Sequence, residues 1–211
     1  MFGVFSRSVV RDRTQVTESV VNLPIKLTLA RIFLVPLLMV FLISFSRVNA
    51  LIAAGIFIAA ALTDWLDGLI ARKRNQVTTL GQLLDPVADK LLVAAALISL
   101  VQIDKLPAWM VVILIGREFA VTGLRGIAAS VGIIVPASDL AKYKAATQYV
   151  AITLLILEKG LSPAPSSFHL IAYGAFWVAL GLTLVSGIDY FVRFFKKADF
   201  HALVKEPEQW P

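Results

Sequence analysis

Six apolar runs, at about 27–46, 50–71, 80–102, 108–131, 141–158 and 168–192, follow one another with only short breaks of charged or turn-forming residues. About 20 mostly apolar residues suffice to cross the ~30 Å hydrocarbon core of a bilayer as a helix, which satisfies its own backbone N–H and C=O groups. The pattern predicts an all-α integral membrane protein with about six transmembrane helices. It leaves too little chain for a large soluble catalytic domain. Composition agrees: of 211 residues, 58% are hydrophobic and 16% charged, and mean hydropathy is +0.81. There is no cysteine, so disulfides, thiolate metal sites and thiol nucleophiles are excluded. Any chemistry falls to carboxylates, basic groups and hydroxyls.

The breaks between runs order the chain. Residues 1–21 carry apolar patches interrupted by Ser6, Arg7, Arg11 and Asp12, lack the continuous apolar stretch of a secretory signal, and read as a short interfacial segment. Asn22-Leu23-Pro24 marks a helix start, where the missing N–H of Pro24 matters little. The membrane domain is expected over 22–195. Residues 159–167, with Gly160, Pro163 and Pro165, read as a surface loop, and 196–211 as a tail without a motif. Six crossings put both termini on one side. The connections and termini of that side carry thirteen Lys and Arg residues, including Arg72, Lys73, Arg74, Lys196 and Lys197, against three (Arg47, Lys105, Lys159) on the other. The excess of basic residues places both termini in the cytoplasm, as in a multi-pass protein of a bacterial-type inner (cell) membrane. The net charge of +6 then suits an anionic leaflet of membrane lipids, and no nucleic acid partner is expected.

Against this apolar background the intramembrane charges stand out. Asp64, Asp67, Asp85, Asp89, Lys90, Arg117, Glu118 and Arg125 fall inside the middle runs and Arg31 near the start of the first. Such groups are costly in lipid and must face a protein interior or a wet cavity. One explanation is internal pairing that fixes helix register. The spacing argues for more. Asp64 and Asp67 are three apart and Asp85 and Asp89 four apart, so each pair shares a helix face. If the second and third runs form a hairpin, both pairs lie near its cytoplasmic end, in a polar cavity that faces the cytoplasm. Four facing carboxylates need cations, and hard oxygen ligands at that density suit two Mg²⁺ or Mn²⁺ ions. Between the pairs, Gly68 and Ala71 remove bulk where a ligand's approach or helix packing requires it.

Through its fixed positions the stretch from Asp64 to Asp89 reads D-x2-D-G-x2-A-R-x8-G-x3-D-x3-D. A chance match in a chain of this length is on the order of one in a million or rarer at ordinary residue frequencies. This stretch resembles the signature of the CDP-alcohol phosphotransferase family, integral-membrane enzymes that move a phosphatidyl or similar group from a CDP-linked donor to an alcohol. The resemblance implies that Asp64, Asp67 and Asp85 are metal ligands and that Asp89 is both a ligand and the catalytic base. It implies that Gly68, Ala71, Arg72 and Gly81 receive the cytidine diphosphate, with Thr63 beside them. It also implies a homodimer.

Two further stretches resemble the branch of that family whose acceptor is glycerol 3-phosphate. Asn22, Thr28 and Arg31, ahead of Pro36, match an element that caps the nucleotide cavity; the other reading of Arg31 is a side chain snorkelling to headgroups. Downstream, Gly116 to Arg125 and Lys142 to Gln148 supply Arg117, Arg125, Lys142 and Lys144 for the acceptor phosphate, with Glu118 as partner of a neighbouring base. The two arginines are about 80° apart around a helix and can line one cavity. Lys142 and Lys144 also make sense as plain cytoplasmic anchors. The expected reaction joins CDP-diacylglycerol to glycerol 3-phosphate and releases CMP. The rivals are the same chemistry with inositol phosphate, serine or phosphatidylglycerol as acceptor, and, from another class, a divalent-cation or proton-coupled transporter. His169 and His201 fall outside the candidate cavity.

Overall fold

In the computed structural model the described residues are 23–44, 46–74, 79–130 and 139–197. The interfacial segment 1–21, Asn22, His201 and the tail beyond Lys197 lie outside them. Within α-helical stretches the side chains of residues 23–26, 64–74, 79–83, 85, 139, 141 and 142 are likewise outside the description.

Six helices make up the described chain: α1 Leu23–Ile43, α2 Arg47–Arg74, α3 Thr79–Gln102, α4 Ala108–Ser130, α5 Asp139–Gly160 and α6 Ser166–Lys197. They follow the six apolar runs. The shortest has 21 residues, about 31 Å of helix, close to the thickness of a bilayer core. By length and composition alone, α6 is the one helix among the described residues that is long and apolar enough to cross a membrane. In α4, Arg117, Glu118 and Arg125 break up the apolar window.

α1 packs against both α2 and α3; α5 packs against α2, α3 and α6; α4 leans on α3 and α6. The core is built from Leu38, Leu42, Phe57, Leu92, Leu97, Ile152 and Phe176, all essentially inaccessible. Buried alanines such as Ala53, Ala96, Ala151 and Ala179 let helix backbones approach closely, the usual device where lipid removes the hydrophobic drive between helices. The outside is apolar too. Phe33, Val40, Val112, Leu170 and Ile188 are all well exposed, a distribution foreign to a water-facing surface.

Most helix ends fall a few residues from the sequence reading, α1 at 23–43 and α2 at 47–74 among them, and two of the shifts show their cause. α5 runs through Lys159 and Gly160, where a loop was expected to begin. The Lys159 ammonium donates to the backbone carbonyls of Leu42 and of Ser44, the latter at 2.8 Å. Gly160 lies so close to Leu51 that a Cβ would come within 2.6 Å of its Cδ2. Packing against α1 and α2 thus carries the helix two residues, about half a turn, further. α6 continues past residue 192 to Lys197, its last turn holding Lys196 and Lys197, whose charges suit the carbonyl end of a helix.

Candidate functional site

Backbone arithmetic brings the aspartates level. α2 and α3 are joined through four residues, 75–78, so the end of α2 and the start of α3 share one end of the bundle. Counting inward at 1.5 Å per residue, Asp67 and Asp85 each lie about 10 Å from that end and Asp64 and Asp89 about 15 Å. The four positions thus fall at two depths along the helices. α1, which packs against both helices, starts at the same end and buries Thr28 and Arg31 to 1% and 2% exposure. Arg31 therefore points into the protein, which removes the snorkelling alternative. Thr63 donates from its hydroxyl to the Ala59 carbonyl at 2.7 Å, bonded back to its own helix. The side chains of Asp64, Asp67, Gly68, Ala71, Arg72, Gly81, Asp85 and Lys142 lie outside the description.

Asp89 is half-buried and accepts a hydrogen bond from the Tyr149 hydroxyl of α5. The Tyr149 ring in turn packs on Phe57 of α2, with centroids 5.5 Å apart. Asp89, Tyr149 and Gln148 line a cavity between α3, α4 and α5 together with Lys90, Glu118 and Lys144. The Asp89 carboxylate is near enough to act electrostatically on the Lys144 ammonium. A proton acceptor and a cation thus share one pocket.

The cation is part of a larger cluster. Oε1 of Glu118 accepts from Arg117 Nη1 at 2.9 Å and also from the Lys144 ammonium. Arg117 Nη2 donates to Ser186 Oγ of α6 at 2.8 Å. Beside it Gly187 leaves room: a Cβ there would stand 3.1 Å from Cγ and Nε of Arg117. The side chain of Lys144 is 7% exposed and that of Arg117 12%, so each charge needs a counter-charge that water does not supply. Arg125 also leans on α6, its guanidinium 5.6 Å from the centre of the Tyr190 ring. Arg117 therefore reaches the Asp89 cavity through Glu118, whereas Arg125 meets Tyr190.

Tyr149, Gln148, Ser186, Gly187 and Tyr190 were not singled out by the sequence reading. Gln148 was legible, since it lies four residues after Lys144 and shares its helix face. The role of Gly187 was not, because a glycine in an apolar helix reads as a packing notch until the arginine opposite is seen. His169 belongs elsewhere: its Nδ1 lies 2.9 Å from Glu158 Oε1, which Lys105 also contacts at 3.0 Å. Glu158 is about 21 Å along α5 from Lys144.

A buried acid–base cavity at one end of an all-helical bundle accords with what the comparisons give. The CDP-alcohol phosphatidyltransferase family model matches residues 21–185, and the chain belongs to that family of enzymes. It is 46% identical over 188 residues to the CDP-diacylglycerol–glycerol-3-phosphate 3-phosphatidyltransferase of Bacillus subtilis, covering 82% of this chain and 94% of the relative. Identity is 39% over 175 residues to the protein of the same name from Rickettsia bellii, covering 81% and 93%. It is 37% over 215 residues to CDP-diacylglycerol–glycerol-3-phosphate 3-phosphatidyltransferase 2 of Arabidopsis thaliana, covering 90% of each. Membership in a transferase family sets the transporter alternative aside.

The family resemblance implies divalent cations. Of the four aspartates that the resemblance assigns to them, Asp89 alone has a described side chain, and its carboxylate is a hard oxygen donor of the kind such ions take.

Proposed function

We propose that this protein transfers the phosphatidyl group of CDP-diacylglycerol to glycerol 3-phosphate and releases CMP. The observation that carries the reading is the single cavity lined by both Asp89 and Lys144. An acceptor with a hydroxyl at one end and a phosphate at the other needs such a pair. The names of the relatives, held over most of the chain, favour glycerol 3-phosphate over inositol phosphate, serine or phosphatidylglycerol.

In this reading Asp64, Asp67, Asp85 and Asp89 hold two divalent ions, Mg²⁺ or Mn²⁺, which when bound neutralise the donor diphosphate and stabilise the departing CMP. The chain's own groups do the rest. Gly68, Ala71, Arg72 and Gly81, with Asn22, Thr28, Arg31 and Thr63 around them, receive the nucleotide. Lys144 and Arg117, with Arg125 and Lys142 near the same end, bind the acceptor phosphate through charge-assisted hydrogen bonds. Asp89 takes the proton from the acceptor hydroxyl as its oxygen attacks the phosphatidyl phosphorus. The Tyr149 hydroxyl fixes the orientation of that carboxylate.

The reading extends to the setting. Six crossings of a cell membrane, both termini in the cytoplasm and a cavity opening to that side give the donor's acyl chains access from lipid and the acceptor access from water. A homodimer is part of the same proposal. The test is an acceptor panel with purified protein, CDP-diacylglycerol and Mg²⁺ or Mn²⁺, scored by CMP release. Glycerol 3-phosphate is expected to be preferred over glycerol, serine, phosphatidylglycerol and inositol 1-phosphate, with no turnover in chelator. Preference for another acceptor would overturn the assignment.

A further inference from the structure

Two cations of the acceptor pocket converge on one carboxylate oxygen. Glu118 Oε1 takes both the Lys144 ammonium and Nη1 of Arg117, and such a junction between two donors is also where a bridging phosphate oxygen would settle. We infer that Glu118 is a built-in competitor for the acceptor phosphate: it occupies the phosphate seat while the acceptor is absent and is displaced by a dianion. The inference rests on the reading of Lys144 and Arg117 as phosphate ligands and assigns to a residue of their own cluster the selection among anions.

Three features support displacement over a fixed structural role. The two cations are held differently. Arg117 keeps a second anchor on Ser186 at 2.8 Å and is seated against Gly187, so it stays in place when Glu118 leaves. The Lys144 ammonium, among the described residues, hydrogen-bonds to Glu118 alone and is free to change partners. The carboxylate has a way out as well, its side chain being 21% exposed against 7% for Lys144. Arg117 Nε, buried and without a hydrogen-bond partner among the described residues, leaves the guanidinium capacity for another acceptor.

Charge decides which ligand can open the cluster. Arg117, Lys144 and Lys90 against Glu118 and Asp89, which share the cavity with Lys144, leave one net positive charge, so a monoanion that replaces Glu118 gains nothing and a neutral molecule loses. A phosphate dianion matches both cations at once. Glu118 therefore raises the concentration of acceptor needed for saturation and in return excludes weaker anions from a pocket that would otherwise fill with them.

The experiment compares the wild-type protein with Glu118→Gln, Glu118→Asp and Lys144→Met, in detergent with saturating CDP-diacylglycerol and divalent metal. It measures the KM for glycerol 3-phosphate and competitive inhibition by inorganic phosphate. Loss of the competing charge in Glu118→Gln is expected to lower both the KM and the phosphate inhibition constant about tenfold. Glu118→Asp keeps the charge but draws it back, and should lower both by less. Lys144→Met should raise the KM. If Lys144→Met leaves the acceptor KM unchanged, the phosphate site itself is misplaced. If Lys144→Met raises it but Glu118→Gln and Glu118→Asp leave it unchanged or raise it too, Glu118 only holds the cations and the competitor role is overturned. Should Glu118→Gln fail to fold, the sign of the Glu118→Asp effect decides.

Discussion

Asp89 lies where one residue's two roles can be separated. Its carboxylate faces the pocket that holds Lys144 and takes a hydrogen bond from Tyr149. Replacing it by asparagine keeps a carbonyl oxygen of similar shape for a cation and for the tyrosine, but removes the proton acceptor. Base catalysis contributes roughly 10²–10⁴-fold, so single-turnover CMP release should fall by about that factor in Asp89→Asn while CDP-diacylglycerol binding in the presence of metal stays within a few-fold. Near-normal turnover at saturating metal would exclude Asp89 as the base. At this scale the sequence was informative about identity, and it paired Glu118 with a neighbouring base, as Arg117 and Lys144 bear out, without saying which. Their place inside apolar runs singled out the four aspartates, Arg117, Glu118 and Arg125, because ionisable groups there have few reasons to exist; Lys142 and Lys144 came from the family resemblance. That Glu118 meets Lys144, 26 positions on, and that α6 supplies Ser186 and an open Gly187 for Arg117, about 70 positions on, depends on contacts that no local pattern encodes.

At the scale of elements, helix existence was legible and helix ends less so. Apolar runs report their own length, but α5 overran its apolar stretch where Lys159 bonds to carbonyls at the end of α1, and α6 where Lys196 and Lys197 suit its carbonyl end. The close of α3 shows how such an end is built. Asp104 adopts φ of 56°, a left-handed conformation that aspartate tolerates better than most residues. Its N–H bonds to the Val101 carbonyl at 3.0 Å, and that of Lys105 to Leu100 at 2.9 Å, the Schellman closure of a helix. That turn delivers Lys105 to Glu158 at 3.0 Å, and Glu158 in turn meets His169 of α6, so three helices are clasped at the end opposite the aspartates. Lys105→Met should lower stability by roughly 1–3 kcal/mol, less than for a fully buried pair because Lys105 is 26% exposed and His169 remains. Thermal unfolding in detergent should show the loss, while both substrate KM values hold, since the clasp is about 21 Å from Lys144. A changed KM with unchanged stability would contradict a purely clasping role.

Across the whole molecule, polarity is distributed inside out. Exposed Phe33, Val40, Val112 and Leu170 coat the bundle while Arg31, Lys144 and Glu158 are buried, which is stable only where the outer solvent is apolar. All six helices are long enough to traverse a bilayer core, and the basic residues gather at the end where α2 meets α3 and α4 meets α5. If successive helices alternate in direction, α1 joins α2, α3 joins α4 and α5 joins α6 at one end, and the ends of α2, α4 and α6 lie at the other. The absence of cysteine makes the topology directly measurable, because a single introduced cysteine is the only thiol a maleimide can find. Ser46, Ser130, Ser166 and Lys197 are exposed at or near helix ends, so substitution there should not disturb the core. With a membrane-impermeant maleimide on intact cells, Ser46→Cys and Ser166→Cys should label. Ser130→Cys and Lys197→Cys should label only after permeabilisation. Labelling of Ser166→Cys and Lys197→Cys from the same side would mean that α6 does not cross. Inverted labelling of all four would retain six crossings but turn the aspartate end outward, away from any cytoplasmic supply of glycerol 3-phosphate, and would overturn the orientation drawn from the basic residues.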